Sequence, residues 1–262
     1  MSRIDDAMAA LAAKKRKALV AYLCMGDPSH EASIGHAVAC AEAGADVLEL
    51  GVPFSDPTAD GAVIAQASER ALRGGGGLAR AIDAARAIRA RTDVPLLLFG
   101  YYNPIFVRGE ERTAREARDA GVDGLLVVDL PVDEAGSLRA FCKHQGMSLV
   151  PLLTPTSSEA RVAATKAAVR ESAPGFVYYV SVTGVTGSAE AHLDEAGARA
   201  GELRRALAAP VVVGFGIDSP DKARAAARGA DGVVVGSALV KLVASGASPA
   251  ELVRRLRRAI DE

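Results

Sequence analysis

The chain has 262 residues, half of them hydrophobic, and its 31 Lys and Arg against 32 Asp and Glu leave a formal net charge of −1. That balance gives no basic footprint for nucleic acid. No run is long and apolar enough to span a membrane.

The opening segment, MSRIDDAMAALAAKKRK, carries two early aspartates and no apolar core followed by a cleavage pattern, so it reads as a helix and not a signal peptide. The basic run Lys14 to Lys17 is its solvated end. From there on, short β-branched runs alternate with Ala-, Arg- and Glu-rich segments of helical period. The predicted strands are ALVAYL (Ala18–Leu23), VLEL (Val47–Leu50), PLLLF (Pro95–Phe99) and GLLVV (Gly124–Val128), then SLVPL (Ser148–Leu152), FVYYV (Phe176–Val180), VVVGF (Val211–Phe215) and GVVVG (Gly232–Gly236). Several are apolar throughout, as parallel strands covered on both faces are. Predicted helices between them include Ala32–Ala43, Leu78–Arg91, Glu110–Ala120, Ser158–Glu171 and Pro220–Arg228. GGGG (Gly74–Gly77) follows no strand and reads as a joint between two helices, not a phosphate loop. Before three strands the chain reads AGADVL, AGVDGLLVV and RGADGVVVG, where Gly is expected to supply the left-handed helix C-cap.

Unbroken alternation over the whole length predicts a single-domain (β/α)8 TIM barrel, residues 1–262, with an extra N-terminal helix. The open doubly wound sheet wants GxGxxG after its first strand, and YLCMGDPS is not that. Cys24, Cys40 and Cys142 stand far apart without a CxxC, which suits small buried apolar groups in a reducing, cytoplasmic setting. His30, His36, His144 and His192 form neither HxxxH nor HExxH, so no metal site is expected.

In a barrel of this kind the chemistry lies at the C-terminal ends of the strands. Alternation in VLEL turns Leu48 and Leu50 toward the helices and Glu49 toward the barrel interior. Desolvation there raises a carboxyl pKa and suits proton donation near neutral pH. The plain alternative is a structural pairing of Glu49 with an inner Arg, Lys or Tyr. Asp56 and Asp60 follow in a Pro- and Gly-rich loop; taken alone, they also fit a turn and a helix N-cap. Gly216 and Gly236 close the last two strands, and Gly236-Ser237 opens a helix. With Gly187 from the preceding loop, these form a candidate phosphate grip of backbone N–H groups and a helix dipole. No lysine lies in a strand to form a Schiff base, so the substrate must supply its own electron sink.

LELGVPFSDPTADG, with MGDPS, GVTG, GFGI and GSALVK, closely resembles the signature of the tryptophan synthase α subunit family, collinearly from about Ala18 to Leu256. The resemblance implies retro-aldol cleavage of indole-3-glycerol phosphate to indole and glyceraldehyde 3-phosphate. It implies that Glu49 is the acid–base group and that Asp60 accepts the indole N–H. It implies that Tyr178 lines the site, with Tyr22, Leu126 and Leu153 as further wall, Gly187, Gly216, Gly236 and Ser237 on the phosphate, and Thr186 helping to close a lid. A β subunit in an α2β2 complex is implied as partner, docking on Asp56, Pro57, Asn103 and Pro104 and holding the pyridoxal phosphate; no cofactor is expected in this chain. Tyr22 replaces a frequent phenylalanine, Thr58 a frequent leucine and Ala62 a common proline. A subunit kept only to activate its β partner, and a free-standing indole-releasing lyase, are the alternatives.

Overall fold

The structure, a computed structural model, describes residues 2–180, 189–214 and 216–262, without the side chains of residues 189–192. The predicted alternation is realised. After α1 (Arg3–Ala13) the chain runs through β1 (Ala18–Cys24), α2 (His30–Glu42) and β2 (Val47–Gly51). Then come α3 (Ala62–Arg73) and α4 (Leu78–Arg89), joined at the four glycines, β3 (Leu96–Gly100), α5 (Tyr102–Arg108), α6 (Glu110–Asp119) and β4 (Gly124–Val127). α7 (Gly136–His144), β5 (Ser148–Leu149), β6 (Leu152–Leu153), α8 (Glu159–Glu171) and β7 (Val177–Val180) follow. The last elements are α9 (Ala189–Leu207), β8 (Val211–Gly214), α10 (Pro220–Ala227), β9 (Gly232–Val235), α11 (Ser237–Ala244) and α12 (Ala250–Asp261).

All the pairings are parallel, in the order β5-β4-β3-β2-β1-β9-β8-β7-β6. The predicted strand Ser148–Leu152 is in fact two pieces, because Pro151 has no N–H to give the ladder. Val150 N still donates to Leu125 O and Tyr178 N to Pro151 O, both at 2.9 Å, so this segment bridges β4 and β7 and closes the barrel.

Period-two burial splits the core into two shells. Leu19, Leu23, Leu48, Leu50 and Val213 face the helices; Val20, Val47, Leu97, Leu126, Val212 and Val234 fill the interior. The N-terminal helix plugs the floor. Ser2 and Asp5 form a capping box, Ile4 is fully buried, and the Asp5 carboxylate accepts Gly175 N–H at 2.8 Å. A Cβ on Gly175 would collide with Ile4.

The repeated Gly-x-Asp before β2, β4 and β9 has a common purpose at that same end. Asp46, Asp123 and Asp231 each accept a backbone N–H from the first or second residue of a neighbouring strand, Leu19 (2.8 Å), Leu96 (3.0 Å) and Val211 (2.9 Å). Each also binds an arginine: Arg257 at 2.6 Å, Arg89 at 2.7 Å and Arg204 at 3.0 Å. The glycines beside them differ. Gly44 and Gly121 take the expected left-handed conformation, with φ of 106° and 87°. Gly229 does not; it is small because a Cβ there would strike the Gly197 carbonyl of α9.

Candidate active site

The C-terminal mouth of the barrel opens into a cleft of about 1230 Å³ lined by Tyr22, Glu49, Asp60, Phe99, Tyr178 and Ser237 among others. Glu49 sits in register between Tyr22 of β1 and Leu97 of β3 and is 1% exposed. One of its carboxyl oxygens, Oε1, is buried without a hydrogen-bond partner among the described residues. Among the described residues neither a hydrogen bond nor an ion pair joins Glu49 to an inner Arg, Lys or Tyr, so the structural pairing is not what holds it. Burial pushes its pKa up to about 8, so at neutral pH it carries a proton it is able to give.

Asp60 lies in the loop between β2 and α3, half-buried. The N-cap of α3 is Gly61, with no side-chain cap, so Asp60 is not spent on the helix. Burial pushes its pKa up to about 6, and the neighbouring Tyr101 hydroxyl pulls the other way. At pH 7 it is predominantly ionised. The two carboxyl groups thus stand on opposite sides of neutrality in one cleft, which divides them into a donor and a charge.

Tyr22 and Tyr178 flank them. Burial comes first among the causes that hold both phenols well above their ordinary pKa, with the charges of Asp60 and Glu49 adding to it, so both remain protonated donors. Tyr22 meets Phe99 edge-on, with ring centroids 5.4 Å apart at 82°. Both phenols occupy space left by missing side chains: a Cβ on Gly51 would collide with the Tyr22 hydroxyl, and one on Gly214 with that of Tyr178. Gly214→Ala is therefore expected to displace Tyr178, lower turnover and cost about 1–3 kcal/mol of stability. Thermal unfolding and steady-state kinetics on the one variant check both effects.

Across the cleft, Gly216 adopts φ +70°, and Gly236 is the N-cap residue of α11, with Ser237 opening that helix. The free N–H groups of a first helical turn, the helix dipole and a glycine-lined approach are features that suit an anion. Thr186 and Gly187 lie outside the described residues. Leu126 is fully buried one layer below the cleft, where its neighbour on the same face, Val128, lines the wall. Leu153 is corrected: it is buried among the helix-facing residues, and Leu152 faces the cleft instead. The break at Pro151 obscures the register, and a shift of one residue exchanges the faces. Asp56 and Thr58 are exposed, Pro57 half-buried, and Asn103 and Pro104 lie on α5. Pattern reading missed Phe99 and Leu152, which line the cleft, and Tyr101, which stands beside Asp60; the alternation of β3 was the available signal for Phe99. Among the described residues no His, Cys, Asp or Glu group has the arrangement of a metal site.

Comparison with known proteins agrees in three ways. The family model for the tryptophan synthase alpha chain matches residues 8–261. The chain is 48% identical over 266 residues to the tryptophan synthase alpha chain of Geobacter sulfurreducens, covering 99% of each, and 50% identical over 241 residues to that of Citrifermentans bemidjiense, covering 92% and 89%. Its structure superimposes on the crystal structure of tryptophan synthase subunit alpha from Legionella pneumophila with a TM-score of 0.89 at 34% identity, covering 100% and 99% of the two chains. The aminoacrylate-bound form of tryptophan synthase from M. tuberculosis gives 0.87 at 34% identity, covering 99% and 100%. The fold around the cleft is the TIM barrel of these neighbours, and the chain belongs to the tryptophan synthase alpha chain family.

Proposed function

We propose that this chain cleaves indole-3-glycerol phosphate to indole and glyceraldehyde 3-phosphate as the α subunit of tryptophan synthase. The observation that carries this reading is the fully buried Glu49, with a free carboxyl oxygen and a proton at neutral pH, sharing a cleft with an ionised Asp60.

Glu49 protonates C3 of the indole ring, which leaves an iminium at N1. Asp60, accepting the N1–H, stabilises that cation. The hydroxyl on the carbon bonded to C3 then loses its proton to the Glu49 carboxylate and becomes the aldehyde carbonyl. The C–C pair returns to C3 and restores the aromatic ring. One proton enters at C3 and one leaves the hydroxyl, so Glu49 ends as it began. Tyr178 and Tyr22 bound the ring, and Gly216, Gly236 and Ser237 take the phosphate, joined in this reading by Gly187. The two carboxyl groups act as charge and proton, while the aromatic wall and glycine-lined anion site sort the two ends of the substrate.

The partner in this reading is a β subunit in an α2β2 assembly that holds the pyridoxal phosphate. Two surface features support it. Phe106 and Val107 of α5 are 65% and 78% exposed, the large apolar side chains most open to solvent among the described residues. Phe54, near Asp56 and Pro57, stacks on Tyr101, near Asn103 and Pro104, which brings the two proposed docking segments close together. No described helix is long and apolar enough to cross a membrane, and the three cysteines are free and buried, in keeping with a cytoplasmic setting.

The test is release of glyceraldehyde 3-phosphate from indole-3-glycerol phosphate by the purified chain, with and without the cognate β subunit. Slow turnover alone that rises strongly with the partner is expected. No turnover in either case would leave only the activating-subunit alternative, and fast turnover indifferent to the partner would mean a free-standing lyase.

A further inference from the structure

Among the described residues, the Asp60 loop is tied to the barrel by one side chain from another strand end. Apart from it, the hydrogen bonds of residues 55–60 among the described residues stay within the loop: Thr58 N to Asp56 O, Asp60 N to Pro57 O, and the Ser55 hydroxyl to Asp56. Tyr101, just past β3 and 3% exposed, stacks its ring on Phe54 with centroids 5.0 Å apart at 27°. Its hydroxyl oxygen accepts the Ala59 N–H at 3.0 Å. A phenol that accepts through a lone pair keeps its own proton to give. The acceptor beside it is the carboxylate of the next residue, Asp60.

We propose that Tyr101 is the positioning residue for Asp60, its hydroxyl bridging the Ala59 amide and the Asp60 carboxylate so that the carboxylate stays charged and aimed into the cleft. This rests on the assignment of Asp60 to the substrate's ring N–H. Tyr101 touches no reacting atom in that assignment; it acts through the loop. The stack on Phe54 sets where the phenol stands, and the Ala59 bond sets which way its proton points.

The electrostatics run in the same direction. Burial disfavours the Asp60 charge, and the Tyr101 hydroxyl opposes burial. Burial, with the neighbouring carboxylates, pushes the Tyr101 phenol itself up to about 12, so it donates throughout the working range. The other titratable groups near Asp60 are Tyr22 and Cys24 from β1, Glu49 from β2 and Tyr178 from β7, while Asp129 after β4 faces Tyr101. The phenols and the thiol keep their protons far above neutrality, and Glu49 titrates near 8, so the Asp60 step near 6 is separable.

Carbon-13 NMR of the intact chain labelled at aspartate carboxyls, with the Asp60 signal assigned by its loss in Asp60→Asn, reads that step directly. Tyr101→Phe keeps the ring and its stack and removes only the hydroxyl. The expected result is a midpoint raised by about one pH unit, the size of one hydrogen bond to a carboxylate, and an acid limb of kcat/KM that moves with it. Tyr101→Leu, which also loses the stack, should match that shift and in addition loosen the loop to proteolysis. An Asp60 midpoint unchanged in Tyr101→Phe would overturn the proposal, whatever the change in thermal stability. The titration needs no substrate, so a chain that cleaves nothing would defeat the proposed activity and leave this reading to stand or fall on the midpoint.

Discussion

Glu49→Gln is expected to lower kcat for indole-3-glycerol phosphate cleavage by roughly 10²–10⁴-fold, the usual worth of a positioned acid–base group. Gln is nearly isosteric and hydrogen-bonds, but it has no proton of suitable acidity to place on C3 and no carboxylate to take one back. The same substitution should make the protein more stable at high pH. Burial raises the folded-state pKa of Glu49 to about 8 from an ordinary 4.5, so folding favours the protonated form. That contribution is fully present below about 4.5 and is lost as the pH rises through 8. At pH 9 the folded chain therefore carries a penalty on the order of a few kcal/mol that Gln removes. Thermal unfolding at pH 5 and pH 9 checks the sign: the gain of Glu49→Gln over the parent should be small at the first and large at the second. Lost turnover with gained stability is the mark of a group retained for chemistry.

Asp60→Asn is expected to cost roughly 10²–10³-fold in kcat, the scale for removing one preorganised charge from a developing ion. The sign of the pH dependence follows from the two carboxyl groups. Asp60 acts when ionised, so kcat/KM should rise as the pH passes about 6. Glu49 acts when protonated, so it should fall as the pH passes about 8. The parent profile is then a bell between these values. Asp60→Asn should keep the falling limb and lose the rising one, because the group that titrates there is gone. A rising limb that survives in Asp60→Asn would assign it to another group.

Much of this was legible in the sequence because it depends on short-range pattern. The inward turn of Glu49 follows from the alternation of VLEL, and the helix–glycine–helix joint at Gly74–Gly77 from the absence of a strand before it. What was not legible depends on contacts between distant segments. The break at Pro151 looks apolar and continuous in SLVPL, and the wall position that the resemblance implies for Leu153 belongs to Leu152. The repeated Gly-x-Asp reads as three helix ends. Only the fold brings Asp46, Asp123 and Asp231 against arginines and strand ends far along the chain. Gly229 passes for a left-handed cap until α9 is seen pressing on it. Tyr101 sits in YYNPIF, where it resembles a surface segment. Its bond to Ala59 spans 42 residues, and no local pattern announces it.

The proposed chemistry requires Glu49 to be a buried acid that keeps its proton at neutral pH. The most direct measurement is the ionisation of its carboxyl carbon by NMR in the substrate-free chain, with the signal assigned by its absence in Glu49→Gln. A midpoint near 8 is predicted. A midpoint near the ordinary 4.5 would mean a solvated or paired carboxylate, and the assignment of the proton donor would fall with it.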